Sequence, residues 1–314
     1  MKISIDGGAL NLKNNQRFGT SVFSENLVAA LKLYDKKNQY SIYTFKNLRP
    51  KLFWLKGRVS IEEFINKKSV FLALNQAIPL YTSGKVINFC HGLSYYFYSQ
   101  YYSKKDVVRL NKQLKEMISR SDKIIVSSQK VKAELVSINQ LIDTKIVVLP
   151  FGIPLNMKKG KIKKKEKYFL FVGMDHQIKN IYFIKQAFNE LKKDKKYKDY
   201  KLYILTKNIS REKLKKLYQR ATALLTSSYY ESFNFPVLEA LSQGCPVVGL
   251  KSAIIPELEI YVNLANNVEE FVDKMKKIST KTNVKSINLP AGRQGQLYKK
   301  FNWKDYVNNL VKLY

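Results

Sequence analysis

Glu231-Ser232-Phe233-Asn234-Phe235-Pro236-Val237-Leu238-Glu239-Ala240-Leu241-Ser242-Gln243-Gly244-Cys245-Pro246-Val247-Val248 is the stretch that decides the fold. Pro236 suits a helix start, because its missing N–H is one that a first turn leaves unpaired anyway. Gly244 is placed to close that helix in the left-handed conformation. A strand is expected over 247–250 and another over 223–226, so the order is strand, loop, helix, strand, the repeat of a parallel α/β sheet.

The alternation extends in both directions. Towards the N-terminus come a helix capped by Ser210 and a strand over 202–205. Before them lies a helix with Asn180 as N-cap and with Ile181, Ile184, Phe188 and Leu191 on one face. Residues 168–173 form a continuous apolar run, as in a strand covered on both faces. Towards the C-terminus, Asn267 with Glu270 makes a capping-box-like helix start. Residues 291–296 read as an inserted loop, and Trp303, Tyr306, Val307, Leu310 and Tyr314 share one face of a last helix. In the first half, strands are expected over 3–5, 86–90, 123–126 and 146–149. Helices are expected over 104–119 and 130–137, with Phe23, Leu27, Ala30, Leu31 and Tyr34 at helical spacing in another.

A length of 314 residues with 45% hydrophobic content fits two domains. The lysine-rich stretch 158–167 has almost nothing apolar to bury and reads as the linker between them. The expected division is an N-terminal domain over 1–157, a second domain over 168–300, and a final helix over 301–314 that packs back toward the first domain. No apolar run approaches the roughly 20 residues of a membrane helix, and the start reads as a strand, so a cytoplasmic protein is expected. Cys90 and Cys245 lack metal-ligand spacing and read as reduced core residues. Fifty-six Lys and Arg face 24 Asp and Glu, a formal charge of +32. Nucleic acid, an anionic membrane surface and a broadly solvated basic face all remain open as its explanation.

The quoted segment places one carboxylate on a loop after a strand and a second in the first turn of the next helix. Helix-start N–H groups suit a diphosphate, and carboxylates beside them suit sugar hydroxyls. Taken singly, Glu239 can equally complement a helix dipole and Glu231 can be a solvated loop acid. Together the run resembles the Glu-x7-Glu motif of glycosyltransferase family 4, with Ser232 and Asn234 where two glycines are usual.

That resemblance implies an α/β chain of GT-B architecture, two doubly wound Rossmann-like domains facing a central cleft. It also implies a retaining transfer of a sugar, mannose-type by mild preference, from a UDP- or GDP-sugar to a saccharide or lipid-linked acceptor. Glu231 is then near the donor sugar, Glu239 holds the nucleotide ribose, and the stretch with Ser232, Phe233, Asn234, Phe235, Val237 and Leu238 receives phosphate and sugar oxygens. Phe171-Val172-Gly173 followed by Lys179-Asn180 is similar to a family segment in which the lysine contacts the diphosphate. Lys179 takes that role, with Met174 and Ile178 where arginines are common. Asn88-Phe89-Cys90-His91-Gly92 is similar to the family's His-Asp segment, which assigns His91 to the donor sugar. Gly19 resembles the family's glycine loop.

Tyr95, Tyr96, Phe97, Tyr98, Tyr101 and Tyr102 crowd after His91 and suit either sugar rings or a lipid interface. No phosphate-loop, dinucleotide, zinc-protease or serine-hydrolase signature occurs. No Asp-x-Asp pair occurs either, so a metal-independent site with no cofactor is expected, using Lys179 and helix N-termini. Two rivals stand beside it. One is a transferase-like binder without turnover, motivated by Met174, Gly92 and short segments near Asn208 and Glu257. The other is a basic nucleic-acid-binding protein, which lacks any binding-module signature.

Overall fold

A computed structural model describes residues 1–10, 19–48, 53–157, 164–282 and 291–314. It divides into two compact units, Met1–Phe151 with Trp303–Tyr314, and Gly152–Asn302.

In the first unit the elements run β1 (Lys2–Asp6), α1 (Gly19–Tyr34), β2 (Gln39–Tyr43), α2 (Ser60–Ile65), β3 (Val70–Ala73) and β4 (Lys85–Cys90). They continue as α3 (Ser94–Phe97), α4 (Lys104–Arg120), β5 (Lys123–Val126), α5 (Gln129–Ile138) and β6 (Ile146–Val148). The strands form one sheet in the order β2-β1-β3-β4-β5-β6, with every pairing parallel. β2 lies on one side of β1 and β3 on the other, so the winding reverses at β1. Such a reversal leaves a crevice beyond the carboxyl ends of the two strands. The sheet is covered by separate apolar clusters, one around Leu93, Leu114, Met117 and Leu135, the other around Trp54, Val59, Phe71 and Ile78.

The second unit repeats this plan with β7 (Tyr168–Val172), α6 (Ile181–Lys192), β8 (Lys201–Leu205), α7 (Arg211–Arg220) and β9 (Ala223–Thr226). After these come α8 (Phe235–Ser242), β10 (Val247–Leu250), β11 (Asn263–Ala265), α9 (Val268–Thr282) and α10 (Ala291–Lys300). The strand order is β11-β10-β9-β7-β8, again all parallel, so the reversal falls at β7 with β8 and β9 on opposite sides. β7 is the central apolar run, and Phe169, Phe171, Ile184, Leu191 and Phe271 pack in one cluster around it.

Several expected caps are present. Ser210 Oγ accepts the Lys213 N–H at 3.4 Å. Gly244 is left-handed at φ 69°, its N–H donating to Leu241 O at 3.1 Å and that of Cys245 to Ala240 O at 2.9 Å, the paired bonds that close a helix end. Glu270 N–H donates to Asn267 Oδ1, and Glu270 Oε2 accepts the Asn266 N–H, both at 2.9 Å.

Two local expectations are corrected. Asn180 is left-handed at φ 49° and makes no side-chain cap for α6. Residues 291–296 are helix, not loop, within α10, where Leu297 is buried and Tyr298 OH donates to Ser242 O at 2.7 Å.

The basic stretch expected as a linker has its described ends on the second unit. Met157 O accepts Gln243 Nε2 at 3.2 Å. Lys165 Nζ donates to Gln219 O at 3.0 Å and Gly244 O at 2.9 Å, carbonyls at the C-terminal ends of α7 and α8. Burial holds the Lys165 ammonium below its ordinary range. The last helix, α11 (Trp303–Leu310), belongs to the first unit. Its Trp303 and Tyr306 rings lie 6.1 and 6.2 Å from Phe23 of α1. Val307 and Leu310 are fully buried beside them and contribute roughly 1.5–3 kcal/mol each.

Candidate functional site

The loops that leave β7 and β9 meet at the reversal point of the second sheet. Ser227 Oγ donates to Asn180 O at 2.8 Å, and Tyr229 N–H donates to Ile178 O at 2.9 Å, so one side-chain and one backbone bond hold the two loops together. On that frame Lys179 Nζ lies 2.7 Å from Glu231 Oε1, their side chains 18% and 12% exposed. Ser228 Oγ donates to the same oxygen at 2.7 Å. A cation and a carboxylate are thus fixed together at the carboxyl end of a parallel sheet, where such folds bind ligands.

Between the two glutamates, Asn234 adopts φ 67° and ψ 70°. Its Nδ2 donates to Ala253 O at 3.1 Å and to Thr226 Oγ1 at 3.3 Å, and its Oδ1 accepts the Val237 N–H at 3.4 Å. Left-handed backbone explains why glycine suits this position and why asparagine, the side chain most tolerant of it, can replace glycine. Asn234→Ala is expected to cost about 2 kcal/mol, combining the left-handed penalty with a lost cap, and Asn234→Gly less than about 1 kcal/mol. Urea unfolding of both variants checks the order.

The other expected donor-binding residues are placed differently. Phe233 and Phe235 are buried and meet edge to face at 5.4 Å, and Val237 and Leu238 are core side chains. They can serve a ligand only through backbone. Val237 and Leu238 N–H groups donate to Asn234 O at 3.1 and 3.4 Å. Ser232 is half-buried.

Glu239 is buried in the second turn of α8 rather than in the first as expected, and both its oxygens are engaged. Arg211 donates to Oε1 at 2.5 Å and Tyr218 OH to Oε2 at 3.1 Å. Arg211 Nε also donates to Asn156 Oδ1 at 3.2 Å. Burial and the neighbouring Glu239 charge raise the Tyr218 phenol well above its ordinary range, so it stays a donor. Sequence reasoning missed Arg211, Tyr218 and Ser228. A signal existed for Arg211, because a cation at the first position of a helix opposes the dipole and needs another partner.

In the first unit His91 follows β4 and packs edge-on to Phe23 at 5.0 Å. Its Nε2 lies 2.7 Å from Leu74 O; a carbonyl only accepts, so Nε2 carries the proton. Burial lowers its pKa to about 4. The folded value lies below the ordinary 6.5, so the unfolded chain binds more protons between these pH values and stability falls with acidification through that window. Wild type is expected to lose up to about 3 kcal/mol more than His91→Asn between pH 6.5 and 4, measured by urea unfolding at both ends.

Gly19 is the exposed first residue of α1, and residues 11–18 before it lie outside the described residues. At the reversal point of this sheet, Asp6 is buried at the end of β1 and accepts Gly8 N–H at 2.9 Å and Asn75 Nδ2 at 3.2 Å. Of the aromatic crowd, Tyr95 is buried and receives Gln76 Nε2 at 2.8 Å, while Tyr96 and Phe97 are exposed. Among the described residues no cluster of three or more metal-binding side chains occurs, and no helix is long and apolar enough to cross a membrane.

Two all-parallel α/β sheets, each reversing beside its first strand, give the chain a fold shared with GT-B glycosyltransferases. Residues 202–287, from β8 past the start of α9 and including Arg211, Glu231 and Glu239, match the family described as glycosyl transferases group 1.

It is 26% identical over 293 residues to the O-antigen chain mannosyltransferase RfbU of Salmonella typhimurium, covering 81% of this chain and 78% of that protein. Sucrose-phosphate synthase (tll1590) from Thermosynechococcus elongatus has the same fold at TM-score 0.72 and 14% identity, covering 100% and 98% of the two chains. Anabaena Alr3699/HepE, solved with UDP and glucose, aligns at TM-score 0.68 and 12% identity over 99% and 98%.

Proposed function

We propose that this protein transfers a sugar from a UDP- or GDP-sugar to a saccharide or lipid-linked acceptor, with retention at the anomeric carbon and without a metal. The observation that carries this reading is the Lys179–Glu231 pair at the reversal point of the second sheet. Departure of a nucleoside diphosphate builds negative charge, and a cation fixed by two stitched loops stabilises it without reorganising. Glu231, held by Lys179 and Ser228, lies near the donor sugar. Glu239 receives the ribose hydroxyls, for which it exchanges a bond now made by Arg211 or Tyr218. His91 acts on the donor sugar as a neutral imidazole.

The O-antigen mannosyltransferase relative supports a mannose-type donor and a cell-envelope polysaccharide product. The charge of +32 supports a peripheral place on the anionic cytoplasmic membrane face rather than a specific nucleic-acid partner. Thermal stabilisation by a panel of nucleoside diphosphates, followed by turnover of the matching sugars, tests the reading. A response to UDP or GDP together with transfer is expected; no response to any nucleotide sinks it. Met174 and Gly92, which stand where the resembled motifs have an arginine and an aspartate, favour one second reading, a sugar-nucleotide binder without turnover, which stabilisation with no transfer or hydrolysis would select.

A further inference from the structure

Amphipathic surface helices turn their apolar face inward. α2 does the reverse. Ile61, Phe64 and Ile65, at the i, i+3 and i+4 positions of one face, are 50%, 67% and 67% exposed. The buried side carries Glu63, whose Oε1 accepts Tyr43 OH at 3.0 Å and whose Oε2 accepts Ser83 Oγ at 3.2 Å. The inversion is therefore built: a carboxylate with its partners holds α2 down, leaving three large apolar side chains outside.

The patch continues. Phe64 meets Tyr81 edge to face at 5.7 Å, Tyr81 N–H donates to Ser60 Oγ at 3.2 Å, and the preceding Leu80 is 69% exposed. Leu80 and Phe53 line a groove of about 710 Å³ whose other wall includes Lys56, Lys112, Lys115 and Glu116. Phe53 is 75% exposed and held at φ 52°, a left-handed conformation that a bulky residue rarely adopts. Glu116 pairs with Lys56 and Arg120, which leaves the groove wall net positive. Lys67 and Lys68 follow Asn66, the residue that ends α2. Exposed aliphatic and aromatic side chains framed by lysines match the chemistry of an anionic bilayer surface, with acyl chains beneath phosphate headgroups.

We propose that α2 and the adjoining groove dock the first unit on an anionic lipid bilayer. Phe53, Ile61, Phe64, Ile65 and Leu80 enter the headgroup and acyl boundary, and Lys56, Lys112 and Lys115 meet lipid phosphates. This names the surface behind the membrane association proposed above and rests on that reading.

The test is co-sedimentation of the full chain with phosphatidylcholine vesicles, pure or with about one third phosphatidylglycerol. Wild type is expected to bind only the anionic vesicles, less so in high salt. F64S with I65S, and separately K112E with K115E, are each expected to weaken that binding at least about tenfold. Binding of F64S/I65S equal to wild type overturns the proposal, as does wild type that ignores anionic vesicles. Self-association that F64S/I65S abolishes overturns it in favour of a protein contact. Nucleotide-dependent stabilisation is measured on the same samples. A protein that responds to nucleotide and ignores vesicles removes docking alone, and one that binds vesicles without a nucleotide response removes sugar transfer alone.

Discussion

Lys179→Ala lowers the rate of sugar transfer by about 10²–10³-fold while the fold persists. The loop that presents Lys179 is held by Ser227 Oγ on Asn180 O and Tyr229 N–H on Ile178 O, none of which uses the lysine side chain. Truncation therefore removes the cation without moving its frame. Glu231 keeps Ser228 as donor and about one-eighth of its surface in water, so the stability cost stays near 1–2 kcal/mol. Lys179→Arg restores a charge in a different shape and recovers only part of the rate. Turnover and urea unfolding, measured together, separate the roles. An alanine variant with unchanged turnover assigns Lys179 to structure alone.

Glu239→Ala is expected to abolish the stabilisation by nucleoside diphosphate and to destabilise the free protein by about 3 kcal/mol. The carboxylate is the shared acceptor of Arg211 and Tyr218, and Tyr218 is fully buried, so its hydroxyl loses its partner. Arg211→Ala alone also destabilises, because it takes the cation from a buried carboxylate and leaves it the neutral Tyr218 hydroxyl as donor. The double variant should lose less than the sum of the singles, since the penalty arises once. Strict additivity, or a Glu239→Ala protein that still responds to nucleotide, rejects this account of the cluster.

Much of the sheet was legible because parallel strands covered on both faces must be apolar throughout. β5, β9 and β10 run as expected over 123–126, 223–226 and 247–250. β2 was not read: Gln39-Tyr40-Ser41-Ile42-Tyr43 is a half-buried edge strand with no apolar run. β3 offers only four residues, Val70–Ala73, too few for a period to show. α10 was missed because residues 291–296 differ in composition from the lysine-rich chain around them, whereas the buried Leu297 docks the helix. Asn180 was read as a side-chain cap because cap and left-handed roles favour the same residue type.

In the site, Lys179, Glu231 and Glu239 were legible through the resemblance of two segments. What the segments could not show is pairing. Lys179 meets Glu231 across 52 residues of sequence, and Glu239 meets Arg211 across 28. Contacts at such separation follow from which strands are neighbours, and that is decided by the reversal at β7 rather than by any local pattern.

The anchoring of Met157 and Lys165 has a practical consequence. Both grip the C-terminal end of α8, one through Gln243 and the other through Gly244. Two points of the chain, eight residues apart in sequence, are thereby moored to one helix end. A change at Gln243 or Lys165 therefore loosens the far end of the helix that carries Glu239 while leaving the Glu239 side chain untouched.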